Sequence, residues 1–271
     1  MSDTSSSLRE LDRVEDRIRQ QRQWTDSPVL LVEGPDDLNV LRQHLPGVSI
    51  FPADGKANAL RAVRSLQAWN IEDVLAVVDR DFDDPSQTQD IEGRLHPYAR
   101  RDLEGMLIGL GVLAHVLEHQ GSAAKLTACG GSEALVARLE EIAAPLTSLR
   151  DHNARHNYGL SFDGTDFVGK VDLRTLDFRM QAYCAALISR SETEVQIDTL
   201  VQAAATAVAD DLGPRGKDVI ALAGVALRRV AGSLAHAAVD EPVLTGQLHS
   251  SAGFLLSKDE WLSELKDRLI G

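Results

Sequence analysis

Four aspartates fall within six positions where an apolar run ends: Val74-Leu75-Ala76-Val77-Val78 leads into Asp79-Arg80-Asp81-Phe82-Asp83-Asp84. On an extended chain, carboxylates at i and i+2 can flank one point. A set of oxygen donors alone suits Mg²⁺, Mn²⁺ or Ca²⁺ rather than zinc. Three readings compete: a polar loop after a core strand, a calcium loop, and a catalytic metal site. The calcium loop fails, because Asp84 stands where its sharp-turn glycine belongs and Asp90 where its twelfth-position glutamate belongs. A catalytic site needs a further acid. Glu33 qualifies, since it ends a second apolar run, Pro28-Val29-Leu30-Leu31-Val32, where a carboxylate needs a partner or a metal. Asp36 and Asp37 are explained more simply, as first-turn acids of a helix opened by Pro35.

Positioning these acids requires a particular scaffold. Unalternating apolar runs indicate strands buried on both faces, as in parallel sheets. Val48-Ser49-Ile50-Phe51 is a short third strand, and helical spacing lies between the runs: Leu38, Leu41 and Leu45, then Leu60, Val63 and Leu66. Strand, helix, strand, helix, strand predicts an α/β fold with right-handed crossovers. Glu33 and Asp79 then surface at one sheet edge, the carboxyl ends where such sheets place ligands. Lys56, in Gly55-Lys56-Ala57-Asn58, is either the cation that offsets charge on a phosphate there or a surface lysine at a helix start. Residues 85–101 carry Pro85 and Pro97 and support no confident strand. Asp102-Leu103-Glu104 precedes a helical stretch from Met106 to Leu117, so Glu104 is either a first-turn acid or a further metal-site acid.

From Gly121 onward alanine and leucine dominate, and helices are expected at Gly131 to Ala144 and roughly 173–189, 194–210, 217–238 and 258–269. Ser191-Glu192-Thr193-Glu194 and Ser257-Lys258-Asp259-Glu260 read as capping boxes. Tyr158 to Gly164 carries an Asp-Gly hairpin signal near 157–171. His152 and His156, four apart, would suit a metal on a helix, but a solvated loop is favoured because no glutamate flanks the first. Arg215-Gly216-Lys217-Asp218 is either a helix start or a basic pair facing substrate phosphate. Ser7-Leu8-Arg9-Glu10 begins an amphipathic helix over 7–23 that packs on the core or docks a partner. The expected division is 1–26, an N-terminal helix; 27–118, the α/β domain; and 119–271, a mainly helical domain.

At 271 residues, 44% apolar and 25% charged, the chain has the composition of one or two globular domains. No run is long enough to span a bilayer, no secretory signal is visible, and Cys129 and Cys184 lack disulfide or metal spacing, which together predict a cytoplasmic protein. The net charge of −13 argues against unspecific coating of nucleic acid, though not against a local basic groove.

Leu31-Val32-Glu33-Gly34-Pro35-Asp36-Asp37 with Asp79-Arg80-Asp81 resembles the Toprim domain of topoisomerases, primases and OLD-type nucleases. With Gly55 to Asn58, Asp102-Leu103-Glu104 and Arg215 to Asp218, the likeness narrows to Toprim-like proteins found beside AAA or ABC-type ATPases, including the nuclease effector of the PARIS anti-phage system. The resemblance implies a Toprim-like parallel sheet flanked by helices over about 28–110. It also implies Mg²⁺, with Mn²⁺ as substitute, held by Glu33, Asp79 and Asp81, with Glu104 as a further ligand. Glu33 or a metal-bound hydroxide would act as base, and Lys56 would steady the phosphate. Arg80, Arg215 and Lys217 are candidate substrate contacts. The implied substrate is nucleic acid, tRNA favoured over DNA, under control of an ATPase partner; a homodimer stays open, and no membrane is involved. A DNA nickase is the alternative within the group. Outside it stand a HAD-type phosphatase, whose D-x-D ends the chain's first core strand, and a non-catalytic module whose acids hold a structural ion or a basic partner.

Overall fold

The computed structural model describes residues 13–82, 85–162, 167 and 169–271. In chain order its elements are α1 (Val14–Gln21), β1 (Val29–Val32), α2 (Pro35–Leu41), β2 (Ser49–Pro52), α3 (Lys56–Ala68) and β3 (Val74–Ala76), then a 3₁₀ stretch at Pro85–Arg94. There follow α4 (Leu103–Gly109), α5 (Val112–Gln120), α6 (Ala123–Ala128), α7 (Ser132–His156), α8 (Met180–Arg190), α9 (Ile197–Ala204), α10 (Gly216–Arg229), α11 (Glu241–Ser251), α12 (Gly253–Leu256) and α13 (Glu260–Ile270). The described residues form two compact units, the first drawn from Met1–Arg80, Asp84–Ala99 and Leu256–Gly271, the second from Asp81–Asp83 and Arg100–Leu255. That division departs from the one expected at 118/119. The last helix belongs with the sheet, because the indole of Trp261 packs on His96 and Tyr98.

The first unit is an α/β layer on a parallel sheet of order β2-β1-β3, the class expected from the alternating elements. Leu30 pairs with Ile50 on one side and Leu75 on the other, and every residue of β1 is buried. Beyond β3, where no strand was expected, Leu95 bridges Ala76, and the amides of His96 and Tyr98 donate to Ala76 and Val78 at 2.8 and 3.3 Å. The two bonds follow the i, i+2 pattern of a parallel edge, and Pro97, between the two donors, turns its amide and carbonyl away from β3, where an edge tolerates proline. Its carbonyl is satisfied instead by the Trp261 indole at 2.8 Å. On α1, Val14 and Ile18 are buried; the expected capping box at Ser7 to Glu10 lies outside the described residues.

Among the described residues the regular elements of the second unit are helices, and several boundaries differ from those expected. The stretch from Met106 to Leu117 breaks into α4 and α5 at Gly111, whose φ of 86° suits glycine. Helix α7 continues past Ala144 through Pro145 to His156, because Leu146 and Leu149 extend the apolar face of Leu135 and Leu139. The 151–156 segment is therefore helix rather than the loop expected, with the His152 and His156 rings 5.5 Å apart. Ser191 closes α8 instead of opening a helix: its hydroxyl donates to Leu187 O at 2.7 Å and accepts from Ser161 N. Helix α9 starts only at Ile197. In the first unit, α13 is capped by Asp259 rather than Ser257. No strand forms at 157–162; the antiparallel bridge nearby joins Val171 to Phe178, and the expected Asp163-Gly164 turn lies outside the described residues. Helices α6 and α11 were not expected. Among the described residues no helix is long and apolar enough to cross a membrane.

Candidate functional site

In the first unit three of the expected residues meet at the carboxyl ends of neighbouring strands. Glu33 follows β1 and Asp79 follows β3 by a few residues, and the Asp79 amide donates to Glu33 Oε1 at 2.8 Å across 46 positions of sequence. Lys56, the first residue of α3, reaches the same point and donates Nζ to the Asp79 carbonyl at 2.8 Å. Parallel pairing of β1 with β3 brings both strand ends to one edge, so the meeting follows from the register Leu31↔Ala76. Asp37 caps α2 through Gly34 N at 2.8 Å and also accepts from the Tyr98 hydroxyl. Sequence reasoning gave Asp37 the first role and missed the second, because Tyr98 comes from the unforeseen segment. That segment also anchors Arg80, whose Nε donates to Tyr98 O at 2.6 Å.

Among the described residues no group of three or more His, Cys, Asp or Glu side chains could hold a metal by itself. Magnesium does not require such a cage. It keeps several waters and is commonly bound through one or two carboxylates plus substrate oxygens. Glu33 and Asp79 are oxygen donors of the type such an ion takes, though the bond that joins them here runs through the Asp79 amide, and Asp81 lies two residues further along the chain.

In the second unit the two remaining motifs come together. Asp102 is the N-cap of α4, accepting from Gly105 N at 2.6 Å, and both its oxygens also accept from Gly216 N, the first residue of α10, at 3.0 Å. One carboxylate thus faces the amino ends of two helices, where a negative charge is favoured. Arg215 Nε lies 3.9 Å from Asp102 Oδ2, and Asp218 binds Arg150 in bidentate fashion at 2.9 and 3.1 Å. Glu104, buried in the first turn of α4, is 3.2 Å from His249 Nε2 on α11. Burial opposes its charge, but the His249 hydrogen bond and the nearby Lys217 ammonium hold it below the usual carboxylate range. Glu104 and Asp102 therefore have capping and ion-pair roles of their own, and Arg215 and Lys217 act on them. His249 was missed, since nothing in a lone histidine 145 residues downstream signals this pairing.

Burial pushes the Asp102 carboxyl up to about 7, aided by the neighbouring Glu104 and opposed by the Gly105 and Gly216 amides and Arg215. A carboxyl whose folded pKa is raised binds more protons folded than unfolded between its two pKa values. Stability then falls as pH rises from about 4 to about 7 and levels off above. Asp102→Asn keeps an oxygen acceptor for Gly105 and Gly216, and should flatten this part of the stability profile. Urea denaturation at intervals from pH 4 to 8, in chelator, checks it; a variant with the wild-type slope would place the titration elsewhere.

Compared with family models and with curated proteins, the chain matches none of them.

Proposed function

We propose that the chain is a divalent-metal-dependent nuclease of the Toprim kind, cleaving phosphodiester bonds in nucleic acid. The observation that carries this reading is the Glu33–Asp79–Lys56 junction, where the Glu33 carboxylate and the Lys56 ammonium both bind the Asp79 backbone at the carboxyl edge of a parallel sheet. Such an edge has the parts that in-line phosphoryl chemistry needs. Glu33 and Asp79, with Asp81, would hold Mg²⁺ or Mn²⁺, which when bound polarises the phosphate and offsets the charge of the acids. In the alternative assignment, Glu33 rather than a metal-bound hydroxide would take the proton of the attacking water. Lys56 would face the negative charge that grows on the phosphate. A HAD-type phosphatase is a poorer account, since its D-x-D ends the chain's first core strand; here Glu33 follows β1 and the D-x-D follows β3.

The choice of RNA, with tRNA foremost, and control by an ATPase partner rest on the resemblance of Leu31 to Asp37, Asp79 to Asp83 and Arg215 to Asp218 to the defence-associated Toprim proteins. The test offers total tRNA and supercoiled plasmid to the purified protein with Mg²⁺, Mn²⁺ or EDTA, alongside Asp81→Asn. Cutting of tRNA, absent in EDTA and in the variant, is the expected result. Nicking of plasmid alone would move the substrate to DNA. Cleavage undiminished in Asp81→Asn would sink the site, and no cleavage of either substrate, with a neighbouring ATPase present, would favour the non-catalytic module.

A further inference from the structure

The second unit contains a cleft of about 490 Å³ whose walls are unusual for so aromatic-poor a chain. Two of its six phenylalanines line it, each under a guanidinium: Arg101 lies 4.2 Å from the Phe82 ring centre and Arg150 4.3 Å from that of Phe162. Both arginines are fixed from behind, Arg101 by Asp210 at 2.6 Å and by the Gly213 carbonyl, Arg150 by the bidentate Asp218. Arg150 spends Nε and one terminal nitrogen on that pair, and its other terminal nitrogen makes no hydrogen bond among the described residues. Asn153, one turn along α7, has its oxygen taken by Leu160 N at 2.9 Å, which turns its amide N–H groups to donate elsewhere. Arg215, its side chain 35% exposed, lies on the same cleft.

This set is made of flat surfaces and donors. Asp81 and Asp102 also line the cleft, so its charges are largely balanced and bulk attraction does not select the ligand. What the walls offer is stacking on rigid aromatic and guanidinium planes, amide donors for a base edge, and guanidinium N–H for a phosphate. A paired base keeps both faces inside its helix and cannot enter; a splayed one can. We propose that this cleft binds one unpaired nucleotide of a single-stranded nucleic acid, its base stacked at Phe162 and hydrogen-bonded by Asn153, its phosphate on Arg150 and Arg215. The identity of the ligand as a nucleotide rests on the nuclease reading, and the cleft adds that the substrate presents single-stranded residues.

Binding can be measured apart from cutting. The full chain in EDTA is titrated into a fluorescein-labelled single-stranded octaribonucleotide and into a duplex of the same sequence, followed by anisotropy. The expected result is tighter binding of the single strand, weakened roughly tenfold or more in Phe162→Ala and restored in Phe162→Trp. Asn153→Asp keeps the acceptor for Leu160 while removing the donors. It should also weaken binding, with an unchanged melting temperature that rules out misfolding. Equal affinity for duplex and single strand, no binding of either, or wild-type affinity in both Phe162→Ala and Asn153→Asp would overturn the proposal. A protein that binds as expected yet cuts nothing leaves the cleft standing and removes the nuclease; one that cuts while ignoring Phe162 and Asn153 does the reverse.

Discussion

Glu33→Gln should lower phosphodiester cleavage by about a hundredfold or more and leave stability within about 1 kcal/mol of wild type. The asymmetry comes from the geometry at the sheet edge. Glu33 Oε1 accepts the Asp79 amide, and a glutamine oxygen can accept the same bond, so the junction between β1 and the chain leaving β3 is kept. The negative charge and the basicity are lost, and these are what the proposed chemistry needs. Glu33→Ala provides the contrast. It strips the Asp79 amide of its acceptor as well, and leaving such a group unsatisfied costs about 1–3 kcal/mol, so both activity and stability should fall. Single-turnover cleavage rates read beside urea midpoints separate the two substitutions. If Glu33→Gln cuts at the wild-type rate, Glu33 holds the loop after β3 in place and nothing more.

The sheet was legible because its signal is local. Val29 to Val32 and Val74 to Val78 are apolar without alternation, and only burial on both faces makes such a run stable. Once two parallel strands are placed side by side, Glu33 and Asp79 must reach the same edge, so their meeting needed no knowledge of side-chain packing. Lys56 was legible as a candidate but not as a partner, since its contact is with the Asp79 backbone, which spacing does not show. The pairing of Asp102 and Glu104 with Arg215 to Asp218 was beyond spacing altogether. Both motifs were conspicuous, but they meet across more than a hundred residues through helix packing that the alanine- and leucine-rich second half leaves degenerate. The segment at 95–98 was illegible for a different reason. Pro97 reads as a strand breaker, but its missing donor faces away from β3, and the Trp261 indole that binds its outward carbonyl lies far away in sequence. The helix boundaries failed where a side chain had two local uses. The Ser191 hydroxyl can cap a helix that follows or close one that precedes, and the pattern S-x-x-E does not say which.

Gly216→Ala should be the most damaging small substitution in the second unit, costing about 3 kcal/mol or more and lowering the melting temperature by roughly 6 °C or more. A methyl group there would lie under 3.0 Å from Gly105 N and from two carbon atoms of Glu104, most of it backbone that cannot swing aside. Relief requires α10 to retreat from α4. That retreat would lengthen the two bonds from Gly216 N to Asp102, whose carboxylate is buried and depends on them for solvation. The cost therefore combines overpacking with the exposure of a buried acid to its own desolvation, and the two are coupled through a single atom. Gly246 tests whether glycine replacement itself is at fault. It lies inside α11 with nothing within 4 Å of an added methyl, so Gly246→Ala should stabilise by about 0.5–1 kcal/mol. Opposite signs at the two positions, measured by thermal and urea denaturation, would show that the close approach of α10 to α4 at Asp102 decides the outcome. Equal small effects would mean that α10 can shift off α4 without losing the bonds from Gly216 N to Asp102.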